Sequence, residues 1–277
     1  MPHSPSLAVS VVVYRPDLPR LELTLRTLRN ALDRAIAGGA LAGATVHLID
    51  NGSDNPAALD ELAADALGKA AWLAQRTWRG HGNVGYGRGH NLAILASSAD
   101  VHLVLNPDVE LAPEALIEGL GHLAARPETV LVAPQVRGPD GAMQYLCRRY
   151  PSVLVVAMRG FAPAWLRRTC AQRLADYEMR DTIGDEIVTG IPMASGCFML
   201  TRAEPLRRLG GFSPEYFLYY EDYDLSLRLR RLGDIAYVPS VRIVHAGGGA
   251  ARKGRHHQRL FLQSGVTFFR THGWKLV

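Results

Sequence analysis

Hydrophobic residues in the first half of the chain alternate between a strand pattern and a helix pattern. Leu7 to Val13 is an apolar, β-branched run, and Leu18 to Ala37 places leucines and alanines at helical spacing. Thr45 to Ile49 and then Pro56 to about Leu67 repeat this order. The same patterns predict further strands at Ala71 to Ala74, Val101 to Leu105 and Val130 to Ala133, a helix through Asn91 to Ala99, and a helix that begins at Pro113. Such alternation predicts a mostly parallel sheet with helices on both faces and ligands at the carboxyl ends of its strands.

The pattern changes after Pro134. Gly138-Pro139-Asp140-Gly141 has the composition of a turn and separates two short runs, which predicts a hairpin. Tyr150 to Tyr177 mixes aromatic and apolar residues with several arginines, as in an amphipathic and partly mobile segment. We therefore expect the parallel half to end near Pro134 and a small antiparallel element to follow.

Composition favours one large α/β domain, because 277 residues that are 48% hydrophobic can bury a sizeable core. The longest strongly apolar run, Val153 to Met158, is ended by Arg159 and is far shorter than the about 20 residues that span a membrane. The first residues lack the basic segment of a signal peptide, so we expect a cytoplasmic protein. Scattered cysteines at positions 147, 170 and 197 indicate reduced thiols rather than a disulfide framework or a zinc site.

The formal net charge of +5 is compatible with an anionic ligand and also with an ordinary solvated surface. The chain contains no zinc-finger spacing and no aromatic-basic RNP pattern, so nucleic acid is not the expected partner. The surplus of basic residues falls in patches toward the second half, where it suits a diphosphate ligand or an anionic lipid surface equally well.

Polar residues follow three of the predicted strands at the point where each strand ends. They are Tyr14-Arg15-Pro16, Asp50-Asn51-Gly52-Ser53 and Asn106-Pro107-Asp108. Each segment alone has ordinary turn chemistry, but parallel strands bring all three to one edge of the sheet. A carboxylate delivered there by an apolar strand, at Asp108, suits Mg²⁺ or Mn²⁺ bound to a diphosphate.

A glycine-rich stretch from Asn83 to Asn91 runs into a predicted helix. Its backbone can approach a ligand closely and its amides can face an anion, although a flexible connection explains the same composition. The glycines alternate instead of following G-x-G-x-x-G, and the stretch does not lie in the first strand-to-helix turn. Both features argue against a dinucleotide-binding fold.

Three carboxylates, Glu221, Asp222 and Asp224, crowd into four positions at the start of a strongly patterned helix. Acidic residues there can simply complement the helix dipole, but one N-cap needs only one carboxylate. Crowding beside aromatic residues raises the pKa of at least one of them toward that of a useful general base.

Three further segments allow both a structural and a functional interpretation. His245 follows a short strand and is a structural residue unless it lies near Asp108, where it becomes a candidate metal ligand. Small residues around Gly196 permit tight packing or line a sugar pocket. His256 and His257 belong to a basic segment with Arg252, Lys253 and Arg255, which predicts a mobile tail or, alternatively, a phosphate contact.

The order of these motifs resembles the family 2 glycosyltransferases of the GT-A fold, especially the rhamnosyltransferase-like members that build bacterial surface polysaccharides. The resemblance covers roughly Val9 to His245 and depends most on Ile49 to Ser53, Asn83 to Asn91, Leu105 to Asp108, and Tyr220 to Leu225. It implies one α/β domain with a Rossmann-like, mostly parallel central sheet flanked by helices and a small antiparallel element in the acceptor half. Residues of about 7–135 would bind the nucleotide sugar, about 136–250 would bind the acceptor and carry catalysis, and 251–277 would form a C-terminal basic tail.

The resemblance also implies roles for individual residues. Asp50 would contact the base or ribose of the nucleotide, Tyr14 would frame the base, and Asn51, Asn83 and Arg88 would lie near the nucleotide. Asp108 would hold Mg²⁺ or Mn²⁺ through the diphosphate, and His245 would complete the metal site. Asn106 stands where many relatives carry the first carboxylate of D-x-D, which implies weaker metal binding or an altered ribose contact.

Asp222 matches the position of the catalytic base of the family. Glu221 is the alternative base, Asp224 would orient the acceptor, and Gly196 would line the sugar pocket. The carboxylate would take a proton from the acceptor hydroxyl while the metal offsets charge on the departing diphosphate, and attack from the opposite face would invert the anomeric centre.

The function implied by the resemblance is an inverting transfer of L-rhamnose from dTDP-rhamnose, or of another sugar from a UDP-sugar, to a saccharide on a polyprenyl diphosphate. Val153 to Arg173 and the basic tail would then touch the inner membrane surface. A nucleotidyltransferase would need a glycine-rich, basic loop after the first strand, which Tyr14-Arg15-Pro16-Asp17 is not. A non-catalytic carbohydrate-binding or lipid-binding relative is the other alternative, and the joint presence of Asp108, Asp222 and His245 argues against it.

Overall fold

A computed structural model describes residues 4–247 and 254–277 of the chain. Its strands are Ser6–Val13 (β1), Gly43–Asp50 (β2), Leu73–Trp78 (β3), Val101–Leu105 (β4), Val109–Leu111 (β5), Thr129–Arg137 (β6), Met143–Gln144 (β7), Cys147–Arg148 (β8), Met193–Ala194 (β9), Phe198–Arg202 (β10) and Asp234–His245 (β11). Its helices are Leu18–Ala37 (α1), Pro56–Leu67 (α2), Tyr86–Ala96 (α3), Ala115–Ala125 (α4), Val153–Phe161 (α5), Ala164–Thr169 (α6), Ala171–Tyr177 (α7), Ala203–Arg208 (α8), Glu221–Leu229 (α9) and Arg255–His272 (α10). The predicted bounds of α1 and α2 are confirmed.

Nine strands of the described chain form one twisted sheet in the order β3-β2-β1-β4-β10-β6-β11-β5, with β7 paired to β6. β1, β2, β3 and β4 run parallel, and β6 and β11 pair in the same direction. β10 enters between β4 and β6 and is antiparallel to both. A separate two-stranded antiparallel sheet is formed by β8 and β9. The predicted mostly parallel α/β sheet with a small antiparallel element is therefore confirmed.

Strand register places the predicted polar segments at one edge. Val13, the last residue of β1, pairs with Asp50, the last residue of β2. Val11 pairs with Leu105, the last residue of β4, so Asn106 emerges at the same level. Phe198, the first residue of β10, also pairs with Leu105 and brings the preceding loop to this edge.

The core consists of two main layers, one on each face of the sheet. One layer packs α1, α2 and α4 against the sheet through residues such as Leu25, Leu59 and Leu116. The other packs α3, α8 and α9 through residues such as Ile94, Leu206 and Leu225. In the part of the chain that the structure describes, no helix has both the length and the apolar content that crossing a bilayer requires.

Several sequence predictions were wrong in position. The strand expected at Ala71 to Ala74 begins at Leu73, because a backbone bridge between Ala70 and Leu73 turns the chain first. The helix expected through Asn91 already begins at Tyr86, since the glycine-rich stretch itself forms the first turn. The parallel pairing does not end near Pro134, because β11 returns from the second half and pairs in parallel with β6, which extends to Arg137.

The basic segment at the end of the chain is helical rather than a mobile tail over Arg255–His272. Phe268 and Phe269 are buried and pack with Tyr220 and other aromatic residues, so apolar contacts hold this helix to the domain. Arg252 and Lys253, which belong to the predicted basic segment, lie outside the described residues.

Candidate active site

A cleft of about 380 Å³ opens at the carboxyl ends of β1, β2 and β4. Its wall is formed by Val12, Tyr14, Arg15, Pro16, Asp17, Arg20, Asn51, Asn83, Gly85, Tyr86, Asn106, Pro107, Asp108, Phe217 and Leu218. Five of the predicted site residues are in this set, namely Tyr14, Asn51, Asn83, Asn106 and Asp108. Another cavity of about 370 Å³ lies at the opposite ends of the strands, away from these residues.

Asp50 lies behind this wall and organises the turn that follows β2. Its carboxylate accepts hydrogen bonds from the amides of Gly52 (3.0 Å) and Ser53 (2.7 Å) and from the Ser53 hydroxyl (2.7 Å). Burial acts to raise the pKa of Asp50, but these hydrogen bonds and the charge of Arg79 outweigh burial and lower it. Asp50 is therefore a buried anion that shapes the loop, and its contact with a nucleotide stays a prediction.

The glycine-rich stretch lies so close to the segment before α9 that a side chain at Gly85 would not fit. Gly85 has φ = 90°, and a Cβ there would overlap the carbonyl of Phe217. The Tyr86 amide donates to the same carbonyl at 3.0 Å. Asn51 Nδ2 donates to the Gly85 carbonyl at 2.9 Å, and Asn83 Oδ1 accepts from the Gly85 amide at 3.1 Å. These contacts join the loop after β2 to the segment before α9.

Arg88, expected near the nucleotide, ties α3 to the second half of the chain. Its Nε donates to the Pro214 carbonyl at 2.9 Å, and its Nη2 donates to the same oxygen. The side chain thus has a structural partner, and Arg88 does not belong to the cleft wall.

Tyr86 is a central residue of the site that sequence reasoning missed. Its hydroxyl lies 2.9 Å from Asn106 Oδ1 and 2.6 Å from the Gly196 carbonyl, and so links the end of β4 to the loop before β10. Burial raises the pKa of Tyr86 well above its ordinary value, and the nearby acidic groups of Glu221, Cys197, Asp222 and Asp108 act in the same direction. The carboxylates predicted from separate motifs therefore converge around one phenol. The signal was a tyrosine among the glycines of the predicted ligand-binding stretch.

Asp222 is held by backbone donors at the start of α9. Its Oδ2 accepts from the Gly196 amide and its Oδ1 from the Tyr223 amide, both at 2.9 Å. Burial raises the pKa of Asp222, while these hydrogen bonds and the charge of Arg148 act in the opposite direction. Asp222 is partly exposed.

Glu221 differs from Asp222 in its environment. It is buried, and its Oε2 has no hydrogen-bond partner among the described residues. Burial first, and then the charge of Asp222, raise the pKa of Glu221 well above its ordinary value. Two neighbouring carboxyls with such different surroundings favour a protonated Glu221 beside an ionised Asp222.

Asp224 is engaged inside the protein. Its carboxylate lies 2.7 Å from Arg228 Nη2 and 2.9 Å from His272 Nε2, and the side chain is 3% exposed. The expected acceptor contact does not fit this position, because one oxygen pairs with Arg228 within α9 and the other contacts His272 of α10. The arrangement favours a structural role for Asp224.

His245 and Asp108 are brought together by the pairing of β11 with β5, in which His245 lies opposite Val109. His245 Nε2 is 3.5 Å from Asp108 Oδ1. Gln144 Nε2 donates to the His245 carbonyl at 3.0 Å, which turns Gln144 Oε1 toward Nδ1 at 3.2 Å. Nδ1 is thereby the donor, and the lone pair of Nε2 faces the carboxylate.

An imidazole lone pair and a carboxylate oxygen that face each other suit a shared cation. Oxygen and imidazole donors fit Mn²⁺, and Mg²⁺ accepts a carboxylate together with the oxygens of a diphosphate. The described residues contain no group of three or more His, Cys, Asp or Glu side chains placed to hold a metal. Asp108 and His245 would thus hold the ion together with ligand oxygens.

Sequence comparison identifies the family. Over 254 residues the chain is 30% identical to N-acetylglucosaminyl-diphospho-decaprenol L-rhamnosyltransferase of Mycobacterium tuberculosis, a match that covers 86% of this chain and 75% of that protein. The chain belongs to the rhamnosyltransferase-like family 2 glycosyltransferases. No profile of a known protein family matches the sequence.

Two further similarities are consistent with membership of this glycosyltransferase family. Over 251 residues the chain is 28% identical to O-antigen biosynthesis protein RfbC of Myxococcus xanthus, which covers 88% of this chain but only 18% of that protein. The fold is similar to the crystal structure of GalNAc-T7 with UDP, GalNAc and Mn²⁺, with a TM-score of 0.60 and 15% identity. That match covers 89% of this chain and 45% of the other, and it shows that the fold is GT-A.

Proposed function

We propose that the protein is an inverting, metal-dependent glycosyltransferase that moves L-rhamnose from dTDP-rhamnose to a saccharide on a polyprenyl diphosphate, in bacterial surface polysaccharide synthesis. The observation that carries this proposal is the convergence of the Asp108–His245 pair and Asp222 around Tyr86. The identity to a relative named for a diphospho-decaprenol acceptor and L-rhamnosyl transfer supports the choice of substrates.

The donor would occupy the cleft that Tyr14, Asn51 and Asn106 line, with its diphosphate at Asp108 and His245. A divalent cation bound there supplies positive charge that offsets charge developing on the departing diphosphate. The donor contacts would then come mainly from residues of about 7–135, with Phe217, Leu218 and His245 added from the second half.

Asp222 would accept the proton of the attacking hydroxyl. The amides of Gly196 and Tyr223 fix the orientation of its carboxylate, and Glu221, in its protonated form, adds no second negative charge beside it. An acceptor hydroxyl held at Asp222 reaches the anomeric carbon from the face opposite the diphosphate, which inverts the configuration. Residues of about 136–250 would thus hold the acceptor.

Membrane contact at the inner face of the cell membrane is part of this proposal. The Val153 amide donates to the Lys275 carbonyl at 2.8 Å, which places the start of α5 beside the end of the chain. Leu154, Trp274 and Leu276 are exposed there, next to Lys275. Exposed apolar side chains with a basic residue suit the interface of an anionic bilayer.

The central experiment is a transfer assay with a short-chain polyprenyl-diphosphate saccharide and a panel of dTDP-sugars and UDP-sugars, with Mg²⁺, Mn²⁺ or EDTA. We expect product with dTDP-rhamnose and a divalent ion, and inverted configuration by NMR of the product. If a UDP-sugar supports turnover instead, that sugar replaces dTDP-rhamnose as the proposed donor. A product of retained configuration would exclude the inverting mechanism. Thermal shift with the same nucleotides reports donor binding independently, because a ligand that binds the native state stabilises it.

Membrane binding is tested by co-sedimentation with anionic vesicles at low salt. We expect Leu154→Glu with Leu276→Glu to release the protein from the vesicles. Leu95→Glu, at an exposed leucine on α3, is the matched control. Equal binding by both variants, or no binding by the wild type, would remove membrane contact from the proposal.

A further inference from the structure

Two arginines flank one tyrosine ring beside the helix that carries Asp222. The guanidinium carbons of Arg148 and Arg159 lie 5.5 Å and 5.3 Å from the centre of the Tyr177 ring. Arg159 Nη1 donates to the Tyr177 hydroxyl at 3.3 Å, and that hydroxyl donates to the Tyr223 hydroxyl at 3.1 Å. Because Tyr223 follows Asp222 in α9, this arginine-tyrosine cluster adjoins the proposed catalytic base.

The cluster carries more positive than negative charge. Glu178 Oε1 is 3.9 Å from Arg148 Nη2, which is beyond hydrogen-bond distance. The other oxygen of Glu178 accepts two hydrogen bonds from Arg180, at 2.8 Å and 2.6 Å. Arg180 and Arg148 thus share Glu178. When the ionised Asp222 is also counted, the three arginines still leave a surplus of one positive charge.

Arg148 is also incompletely hydrogen-bonded although it is buried. Its side chain is 5% exposed, its Nη1 donates to the Cys147 carbonyl at 3.2 Å, and its Nε has no partner among the described residues. A buried guanidinium without a full set of acceptors is costly, and an anion that binds there offsets the cost.

We propose that Arg148, Arg159, Tyr177 and Tyr223 form a subsite for the phosphate of an acceptor in which a phosphate or diphosphate links the sugar to its carrier. Guanidinium and phenol donors match phosphate oxygens in geometry and charge. The position next to Asp222 places the anion beside the sugar that receives the new bond. This subsite rests on the proposed function, because it assumes that Asp222 faces the acceptor.

The kinetic test compares two acceptors that differ in charge, N-acetylglucosaminyl diphosphoryl-farnesol and octyl N-acetylglucosaminide. For Arg159→Gln we expect KM for the diphosphate acceptor to rise about 10-fold or more, the loss that follows removal of a charged hydrogen bond. Values of kcat/KM for the uncharged acceptor should remain at the wild-type level. Equal losses on both acceptors would overturn the subsite.

Arg208→Gln on α8 is the matched control, since it removes one arginine charge from an exposed position that belongs neither to the cluster nor to the proposed membrane contact. This control variant should keep KM and kcat/KM for both acceptors at the wild-type level. Arg148→Gln should show the same selectivity as Arg159→Gln. Because Arg148 is buried and Arg159 is exposed, the Arg159 variant keeps the test independent of any folding defect at Arg148.

A binding measurement separates this subsite from sugar transfer. Calorimetric titration with farnesyl diphosphate in EDTA should detect binding to the wild type and to Asp108→Asn but not to Arg159→Gln, and farnesol should bind more weakly. Binding that excess dTDP displaces and that Arg159→Gln retains would assign the diphosphate to the donor site and overturn the subsite. If binding follows the expected pattern but no donor supports transfer, the proposed function fails while the anion subsite stands.

Discussion

The Gly196 amide donates a 2.9 Å hydrogen bond to Oδ2 of Asp222. The carbonyl of the same glycine accepts from Tyr86, which lines the cleft. A Cβ at Gly196 would lie 3.2 Å from the Asp222 Cβ and 3.3 Å from the Tyr86 ring, so glycine allows this close approach. One residue thus connects the proposed base to the cleft wall.

Replacement of the proposed base separates the roles of the two adjacent carboxyls. Asp222→Asn should lower kcat by about 10²-fold to 10⁴-fold, because general-base assistance of that size is lost. Glu221→Gln should retain most activity, since the protonated carboxyl and the amide are similar in shape and charge. Steady-state kinetics and nucleotide titration measure both variants. Wild-type turnover by Asp222→Asn, or the large loss in Glu221→Gln instead, would contradict the assignment.

Stability should depend on pH through Glu221. Its pKa is raised well above the ordinary 4.5 by burial and by Asp222, so the unfolded chain releases a proton that the folded protein retains. At pH values above 4.5, unfolding therefore releases this proton, and the free energy of unfolding falls as pH rises. Glu221→Gln should therefore gain stability relative to the wild type between acidic and neutral pH. Thermal unfolding across that range should show that the stability difference between Glu221→Gln and the wild type grows as pH rises. A difference that grows toward acidic pH would refute the raised pKa of Glu221.

Gln144 should affect metal affinity at the proposed Asp108–His245 site without binding the metal itself. Gln144→Ala removes the acceptor that orients His245 Nδ1, and affinity for Mn²⁺ should fall about 10-fold to 100-fold. Mn²⁺ titration by electron paramagnetic resonance, with a nucleoside diphosphate present, measures this affinity. Gln172→Ala, at an exposed glutamine on α7, is the control. Unchanged affinity in Gln144→Ala would show that Gln144 does not position the imidazole.

The contact between α10 and α9 should stabilise the domain. His272→Ala removes the 2.9 Å contact with the buried Asp224 and should lower the free energy of unfolding by about 1–3 kcal/mol. His256→Ala, at an exposed position on the same helix, should have little effect. Urea unfolding compares the two variants. If both are equally stable, the contact between His272 and Asp224 contributes nothing to stability.

Replacement by alanine should have opposite effects on protein stability at two helical glycines. At Gly87, on α3, a Cβ would lie 2.7 Å from the Phe212 Cβ, so Gly87→Ala should force the helix away from that residue and destabilise the protein. At Gly121, on α4, a Cβ meets nothing within 4 Å, and Gly121→Ala should stabilise by about 0.5–1 kcal/mol. Thermal unfolding of both variants tests the packing of α3, and a stable Gly87→Ala would contradict it.

Much of the fold followed from local pattern. Asp17 and Asn55 cap α1 and α2, and a proline lies in the first turn of each helix, so these bounds were readable from sequence. The alternation of strands and helices also predicted which edge of the sheet would collect Tyr14, Asn51 and Asn106. Periodicity and capping depend on neighbours within a few residues, and the sequence records those neighbours directly.

The site depended on contacts between residues far apart in the chain. Sequence placed three carboxylates in one turn, but only packing separated them into a buried Glu221, a partly exposed Asp222 and an Asp224 paired with His272. Only the strand order, with β10 inserted beside β4 and β11 beside β5, brought Gly196 to Tyr86 and His245 to Asp108. Strand order is set by the burial of whole faces of the sheet, a sum over many distant pairs that no local spacing encodes. The sequence by itself thus determined the elements and the family motifs, and the tertiary structure decided which of those residues share a cleft.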